Sequence, residues 1–432
     1  MKYYSLNNKE HKVSFKEAVI NGIAPDRGLY FPEEITALDA HFIDNITQFS
    51  NEEIAYKVIA QFVGDEIDEA SLKEIIKDTL VFDFPTVKVE DDIYSLELFH
   101  GPTMAFKDVG GRFMARCLGY FNKDVQQEQV TVLVATSGDT GGAVASGFLG
   151  VDGVNVVILY PSGKVSDIQE KQLTTLGQNI TALEVNGVFD DCQDMVKNAF
   201  LDEELKDQNL TSANSINVAR WLPQMFYFFF AYKQLKQLNK EFVFVVPSGN
   251  FGNICAGMMA AKLGLPVKHF VAATNVNDTV PRFLVTGTYE PKPSKQTISN
   301  AMDVGNPSNF VRIQEIYNQN TEALKAHFSS FSYTDEDTRK AMKSIYETSS
   351  YVADPHGAVG YLGAKNYLKT NNDLCVFLET AHPVKFLDVV TDTLSIEVPI
   401  PTQIEAVLDK EKKSIVIDTY SDLKSFLNNR TL

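Results

Sequence analysis

The sequence predicts an α/β protein in which parallel sheets are covered on both faces by helices, after a largely helical N-terminal portion. Three observations carry that reading. From Val130 onward, short uninterrupted apolar runs alternate with stretches of helical spacing. Strands buried on both faces of a parallel sheet have no reason to alternate polar with apolar residues, so such runs mark them. Glycine-rich turns join strand to helix at two of these junctions, and residues 1 to about 90 follow helical spacing instead.

In chain order, Phe15-Lys16-Glu17-Ala18-Val19 and Glu52 to Val63 carry helical spacing, and Asp65 to Lys77 reads as a solvated charged helix. Gly101 and Pro102 break the chain before a helix-like run from Val109 to Leu118. Val130 to Ala135 is the first buried strand, followed by the turn Ser137-Gly138-Asp139-Thr140-Gly141-Gly142 and a helix from Ala143 to Leu149. Val154 to Leu159 is the next strand and Lys164 to Leu176 the next helix. Phe242 to Val246 repeats the signal, with the turn Pro247-Ser248-Gly249-Asn250-Phe251-Gly252-Asn253 and a helix from Ile254 to Leu263. Phe270 to Ala273 and Cys375 to Leu378 are further short buried strands, and Asp335 to Lys343 is an ordinary solvated helix face. The expected segments are a helical N-terminal domain at 1–95, an α/β domain at 96–220 and a second α/β domain at 221–432.

Composition bounds the function. With 432 residues and 44% hydrophobic content the chain can bury a large core in two or more domains. A formal charge of −17 opposes long-range attraction to nucleic acid or an anionic membrane, so an anionic substrate needs a local positive pocket. Cys117, Cys192, Cys255 and Cys375 are scattered without CxxC spacing, which argues for a reducing compartment and against a zinc site. The N-terminus lacks a signal-peptide pattern, and no apolar run approaches the ~20 residues of a membrane span. The expectation is a cytoplasmic protein with a small-molecule substrate, no nucleic acid, no membrane and no evident protein partner.

Lys107 stands in Leu96-Glu97-Leu98-Phe99-His100-Gly101-Pro102-Thr103-Met104-Ala105-Phe106-Lys107-Asp108. Its apolar approach desolvates the amine, lowers its pKa and suits it to form a Schiff base with an aldehyde cofactor. A lysine that lays its stem on the core and its head in water is the alternative. In Gly249 to Asn253, small residues let backbone N–H groups converge at a helix N-terminus, a phosphate cradle helped by the helix dipole. No Lys-Ser/Thr follows, so it is not a Walker A loop; glycines used only for a tight turn are the alternative. Ser137-Gly138-Asp139-Thr140-Gly141 places hydroxyls and a carboxylate at the carboxyl end of a strand, where ligands bind in open sheets, or else caps the next helix. Asn214 and Arg220 can converge on an anion, or belong to a capped helix with a surface arginine. In Glu379-Thr380-Ala381-His382-Pro383 the hydroxyl can face a heterocycle nitrogen, and His382 is read as a structural turn residue in preference to a base.

Together these segments resemble the threonine synthase family of fold type II pyridoxal-phosphate enzymes, related to the tryptophan synthase β subunit. Asn21-Gly22-Ile23-Ala24-Pro25-Asp26-Arg27-Gly28-Leu29-Tyr30 resembles the family's N-terminal signature, and His100 to Asp108, Ser137 to Gly141, Gly249 to Asn253 and Thr380 to Pro383 fall in the family's order. The resemblance implies two open, mostly parallel sheets flanked by helices, with pyridoxal 5'-phosphate as cofactor. It implies Lys107 as the Schiff-base lysine, Gly249, Asn250, Phe251, Gly252 and Asn253 around the cofactor phosphate, and Thr380 at the pyridine nitrogen. Related enzymes often carry Asn where this chain has Asp139 beside the ring hydroxyl. Asn214 and Arg220 match substrate-binding positions, with Ser137 and Thr140 as additional contacts. The implied reaction turns O-phospho-L-homoserine and water into L-threonine and phosphate. Rival readings are a phospho-lyase that stops at 2-oxobutyrate, a dehydratase of serine or threonine, and a non-catalytic cofactor-binding homologue.

Overall fold

The computed structural model describes residues 1–123 and 129–429. Two larger sheets hold the chain together. One is six-stranded, in the order Phe328–Ser332, His269–Thr274, Phe242–Pro247, Leu374–Glu379, Ile93–Glu97, Thr86–Glu90, and only the last pair is antiparallel. The other is five-stranded and all parallel, in the order Ile415–Ile417, Ile180–Val185, Val154–Pro161, Val130–Ala135, Leu210–Thr211. Phe242–Pro247, Val130–Ala135 and Leu374–Glu379 are buried at every position, as expected of strands covered on both faces.

The N-terminal portion departs from a largely helical reading. It contains a three-stranded antiparallel sheet, in the order Lys12–Ser14, Lys2–Ser5, Tyr30–Pro32. Strands of three or four residues are too short to show period-two patterning, and their cohesion comes from buried Tyr3, Phe15 and Tyr30. The helix Glu69–Thr79 is amphipathic, not solvated all round: Leu72, Ile75 and Ile76 are buried. Strand pairing also crosses the edges expected near residues 95 and 220. Thr86–Glu90 and Ile93–Glu97 join the sheet of the later α/β segment, and Ile415–Ile417 returns to the earlier one.

Several helices differ at their ends, one of them because a capping side chain sets it. Ser166 accepts from Gln169 N and starts a helix at Asp167–Thr174, inside the longer expected span. The helix after the first turn begins at Asp139, and the lysine-bearing helix begins at Lys107 itself. Met225–Leu235 is apolar almost all round and lies within the core, which is where such a helix belongs. Gly257 lets the Gly252–Lys262 helix approach it, since a Cβ would stand 2.6 Å from the Phe228 ring.

One short pairing places the site. Phe106 N–H donates to Thr380 O at 2.9 Å, His382 N–H donates to Met104 O at 3.0 Å, and Ala105 bridges Ala381. The loops after two neighbouring strands, Ile93–Glu97 and Leu374–Glu379, are thus zipped together at their carboxyl ends. That is the edge of an open sheet at which ligands bind.

Candidate active site

Lys107 opens the helix Lys107–Asn122 directly after this zipper. The approach is rigid: Met104 sits at φ 57°, and Tyr227 donates its hydroxyl hydrogen to Phe106 O. Lys107 is partly accessible, and its Nζ lies 5.8 Å from the Phe106 ring centroid, without a hydrogen bond or salt bridge to any described residue. Burial lowers its pKa, Arg220 and Lys385 lower it further, and Asp139 opposes them. An uncommitted amine with a lowered pKa is a nucleophile in waiting.

The Ser137–Gly141 loop faces this amine through Asp139. Asp139 is buried, pairs with Lys385 Nζ at 2.6 Å and accepts from Gln169 Nε2 at 2.9 Å. Burial works against its ionisation, but Lys385 and Lys107 outweigh it and hold the carboxyl far below the usual range. Thr136 Oγ1 fixes the turn by accepting from Gly138 N at 3.0 Å and Gly141 N at 2.8 Å. Gly138 sits at φ 141°, where a Cβ would also meet the Gln169 amide at 2.6 Å. Ser137 is exposed and Thr140 half-buried on the same turn.

The Gly249–Asn253 loop has the features of an anion seat. Phe251 adopts φ 60° as the N-cap of the helix Gly252–Lys262 and offers no side-chain cap, so the Gly252 and Asn253 N–H groups stay available, while Ile254 N–H donates to Asn253 Oδ1 at 2.9 Å. Asn253 Nδ2 donates to Pro247 O at 2.9 Å. Asn250 ties the loop to its flanks, donating to Ser215 Oγ at 2.6 Å and accepting from Ser308 N at 2.6 Å. A Cβ at Gly249 would stand 2.8 Å from Met302 Cα, and one at Gly252 would stand 3.2 Å from Asn309 Nδ2. That Asn309 amide nitrogen is buried without a partner, as a donor awaiting an anion would be.

Asn214 and Arg220 do not share a helix. The short helix Val218–Trp221 is capped by Asn217, and Asn214 lies in the preceding loop. Arg220 is 3% exposed, so it is not a surface arginine. It donates to Ala213 O, its Nε has no partner, and burial lowers its pKa to about 10. It packs against the lysine-bearing helix, where a Cβ at Gly110 would stand 3.1 Å from Arg220 Nε. Lys107, Lys385 and Arg220 thus gather positive charge inside a chain of net charge −17, against Asp139 and an Asp108 carboxyl that burial pushes up to about 6.

Thr380 is 7% exposed, and its hydroxyl makes no hydrogen bond among the described residues. His382 accepts from Val384 N at 3.1 Å and meets the Phe99 ring edge-on at 5.1 Å. Burial lowers its pKa to about 4, in keeping with a neutral turn residue. Lys385, Gln169 and Arg312 did not stand out in the sequence. A signal for Lys385 was present, since Val384 and Phe386 flank it as Ala105 and Phe106 precede Lys107. Arg312 is fully buried over Trp221, at 4.3 Å from the ring centroid. It donates to Tyr30 O at 2.8 Å, to Ile216 O at 2.6 Å and to Asn309 Oδ1 at 2.8 Å. It therefore joins the N-terminal Asn21–Tyr30 signature to the loops around the anion seat.

Comparison with known proteins gives this arrangement its family. The family model described as "Pyridoxal-phosphate dependent enzyme" matches residues 74–379, that described as "Threonine synthase N terminus" matches 2–80, and "Threonine synthase, C-terminal" matches 357–427. Threonine synthase of Haemophilus influenzae is 44% identical over 407 residues, 94% of each chain. The crystal structure of threonine synthase from Escherichia coli superposes with a TM-score of 0.93 at 42% identity, covering 100% of both chains. The pyridoxal-phosphate-bound threonine synthase from Brucella melitensis superposes with a TM-score of 0.93 at 34% identity, again over 100% of both. The free Thr380 hydroxyl and Lys107 amine, the Gly249 backbone with no room for a Cβ and a helix N-terminus with open N–H groups fit that cofactor. The chain belongs to the threonine synthase family of pyridoxal-phosphate-dependent enzymes.

Proposed function

We propose that this enzyme converts O-phospho-L-homoserine and water into L-threonine and phosphate, with Lys107 as both cofactor anchor and proton carrier. The observation that carries the reading is the uncommitted Lys107 amine, its pKa lowered by burial and by Arg220 and Lys385. Pyridoxal phosphate, when bound, supplies the electron sink for charge left at the substrate's Cα. Backbone N–H groups of Gly249, Asn250, Phe251, Gly252 and Asn253 would hold its phosphate. The Thr380 hydroxyl would serve its ring nitrogen, and Asp139, steadied by Lys385 and Gln169, stands beside Lys107.

With its amine free, Lys107 would take the proton from Cα, pass it to the γ-phosphate and then take one from Cβ, while the phosphate leaves with the C–O electron pair. The Cβ proton returned at Cγ, with hydroxide from water added at Cβ and the proton of that water returned at Cα, completes threonine. Arg220 and Asn214, with Ser137 and Thr140, orient the substrate's anionic groups, reversing the sign of an acidic protein inside the cleft. The four cysteines are free and buried, which supports the cytoplasmic placement. The deciding experiment incubates the holoenzyme with O-phosphohomoserine and assays threonine, phosphate and 2-oxobutyrate. Threonine and phosphate in equal amounts support the reading; phosphate with 2-oxobutyrate would replace it with a lyase.

A further inference from the structure

Behind the site lies a second cluster of ionisable side chains that the proposed reaction leaves unused. Glu379 closes the strand Leu374–Glu379, immediately before Thr380, and is fully buried. Its Oε1 accepts from Asp354 N at 2.6 Å, while its Oε2 has no partner. Gly357 leaves room for that oxygen, because a Cβ there would overlap Oε2. Asp354, also fully buried, caps the 13-residue helix Pro355–Tyr367. Its Oδ1 accepts from His356 N and faces His356 Nδ1, both at 2.6 Å, and its Oδ2 has no partner.

Hydrogen-bond roles place the protons one after another. Ala301 N–H donates to His356 Nε2 at 3.1 Å, so the ring hydrogen of neutral His356 sits on Nδ1. Asp354 Oδ1 then receives two donors at the positive end of a helix, which is where a negative charge is stabilised. The carboxyl groups of Glu379 and Asp354 are close neighbours, since the Asp354 N–H itself donates to Glu379 Oε1, and two buried carboxyls this close cannot both ionise. One proton on Glu379 Oε2, directed at Asp354 Oδ2, would satisfy both orphaned oxygens at once. Burial and then Asp354 push the Glu379 pKa well up, and Glu97 adds to it.

We propose that Glu379 is held as a neutral acid, and that its hydrogen bond to the Asp354 carboxylate makes it a positioning residue linking the Thr380 end of the cofactor seat to the Gly249 end. This rests on the assignment of Thr380 and Gly249 to that seat. The link is continuous. Thr380 O holds Phe106 N–H, one residue before Lys107. At the far end His356 holds Ala301, whose carbonyl and neighbouring Met302 form the wall behind Gly249. Other ionisable groups face the chain: Tyr351, bonded to Glu97 at 3.0 Å, beside Glu379; Asp303 beside His356; and His382 beside Asp354. Removing the shared proton at high pH places two carboxylates in contact and loosens the seat.

Glu379→Gln stays neutral and keeps a donor and an acceptor, whereas Glu379→Ala keeps neither. In the wild-type holoenzyme, infrared spectroscopy at neutral pH is expected to show a protonated-carboxyl stretch that Glu379→Gln lacks. Complete unfolding at about pH 7.5 should release about one proton more from wild type than from Glu379→Gln, since an exposed glutamate titrates near 4.3. Pyridoxal phosphate should bind Glu379→Gln within about threefold of wild type and Glu379→Ala about tenfold to a hundredfold more weakly. Wild-type affinity should fall at high pH while that of Glu379→Gln stays flat. Equal proton release with no carboxyl stretch overturns the neutral acid. Wild-type affinity in Glu379→Ala overturns the positioning role. Should Glu379→Gln fail to fold, loss or retention of the wild-type stretch in Asp354→Asn decides instead. Unchanged affinity in both Gly249→Ala and Thr380→Val would point to a wrong seat assignment and leave the proton count standing.

Discussion

Replacing Lys385 with methionine tests whether the Asp139 pair organises the site. The ammonium and carboxylate are 2.6 Å apart with side chains 0% and 5% exposed, so neither is screened by water. Methionine keeps most of the apolar stem and removes the charge. Asp139 then retains only the Gln169 amide, and Thr103 O keeps only the Gln172 donor at 3.2 Å after losing Lys385 at 2.8 Å. Removing one partner of a buried ion pair costs about 3–5 kcal/mol, because the other charge is stranded. Removing both strands nothing, so Lys385→Met with Asp139→Asn should recover about half of that loss or more. Lys107 loses a neighbouring positive charge in the single variant, and its amine becomes easier to protonate wherever Asp139 stays ionised. Denaturant unfolding of wild type, both single variants and the double variant gives the cycle. A loss under about 1 kcal/mol for Lys385→Met, the level of an exposed pair, would refute the reasoning.

Two further outcomes follow from named atoms. Gly249→Ala puts a Cβ 2.8 Å from Met302 Cα and 2.9 Å from Ala301 O, so the backbone must move and pyridoxal phosphate affinity, followed by absorbance titration, should fall at least tenfold. Asp108 titrates near 6 in the fold because it is buried, although Thr103 donates to both its oxygens. A raised carboxyl pKa means the fold binds the proton more tightly than the unfolded chain. Its contribution is therefore complete below about pH 4 and lost as pH rises to about 6, a swing of about 3 kcal/mol. Asp108→Asn should remove that decline from the stability–pH curve, and an unchanged slope would count against it.

How much was legible beforehand depended on how local each signal was. The strand Val130–Ala135 is apolar at all but one position and bounded by turn residues, and it stands at those limits in the structure. Lys107, the Gly249–Asn253 loop and Thr380 were visible because each is written in consecutive residues, and the zipper at Ala105 and Ala381 brings Lys107 and Thr380 together. Lys385 and Gln169 act only through a carboxylate hundreds or tens of positions away, and a single chain carries no mark of such pairing. The same holds for Glu379 with Asp354, whose helix-capping role alone was local. Sheet membership was the least legible property. Ile93–Glu97 mixes buried and half-buried positions and resembles an edge strand, yet it lies between Leu374–Glu379 and Thr86–Glu90.

The most direct test of Lys107 as proton carrier is turnover of O-phosphohomoserine in heavy water, with the products read by NMR. The wild-type holoenzyme should give threonine deuterated at Cα and at Cγ, because the proton returned at each position comes through exchangeable groups. Lys107→Ala, with pyridoxal phosphate added, should form no threonine and leave the substrate's Cα hydrogen in place. Exchange at Cα by Lys107→Ala at the wild-type rate would contradict the account and assign the base to another residue.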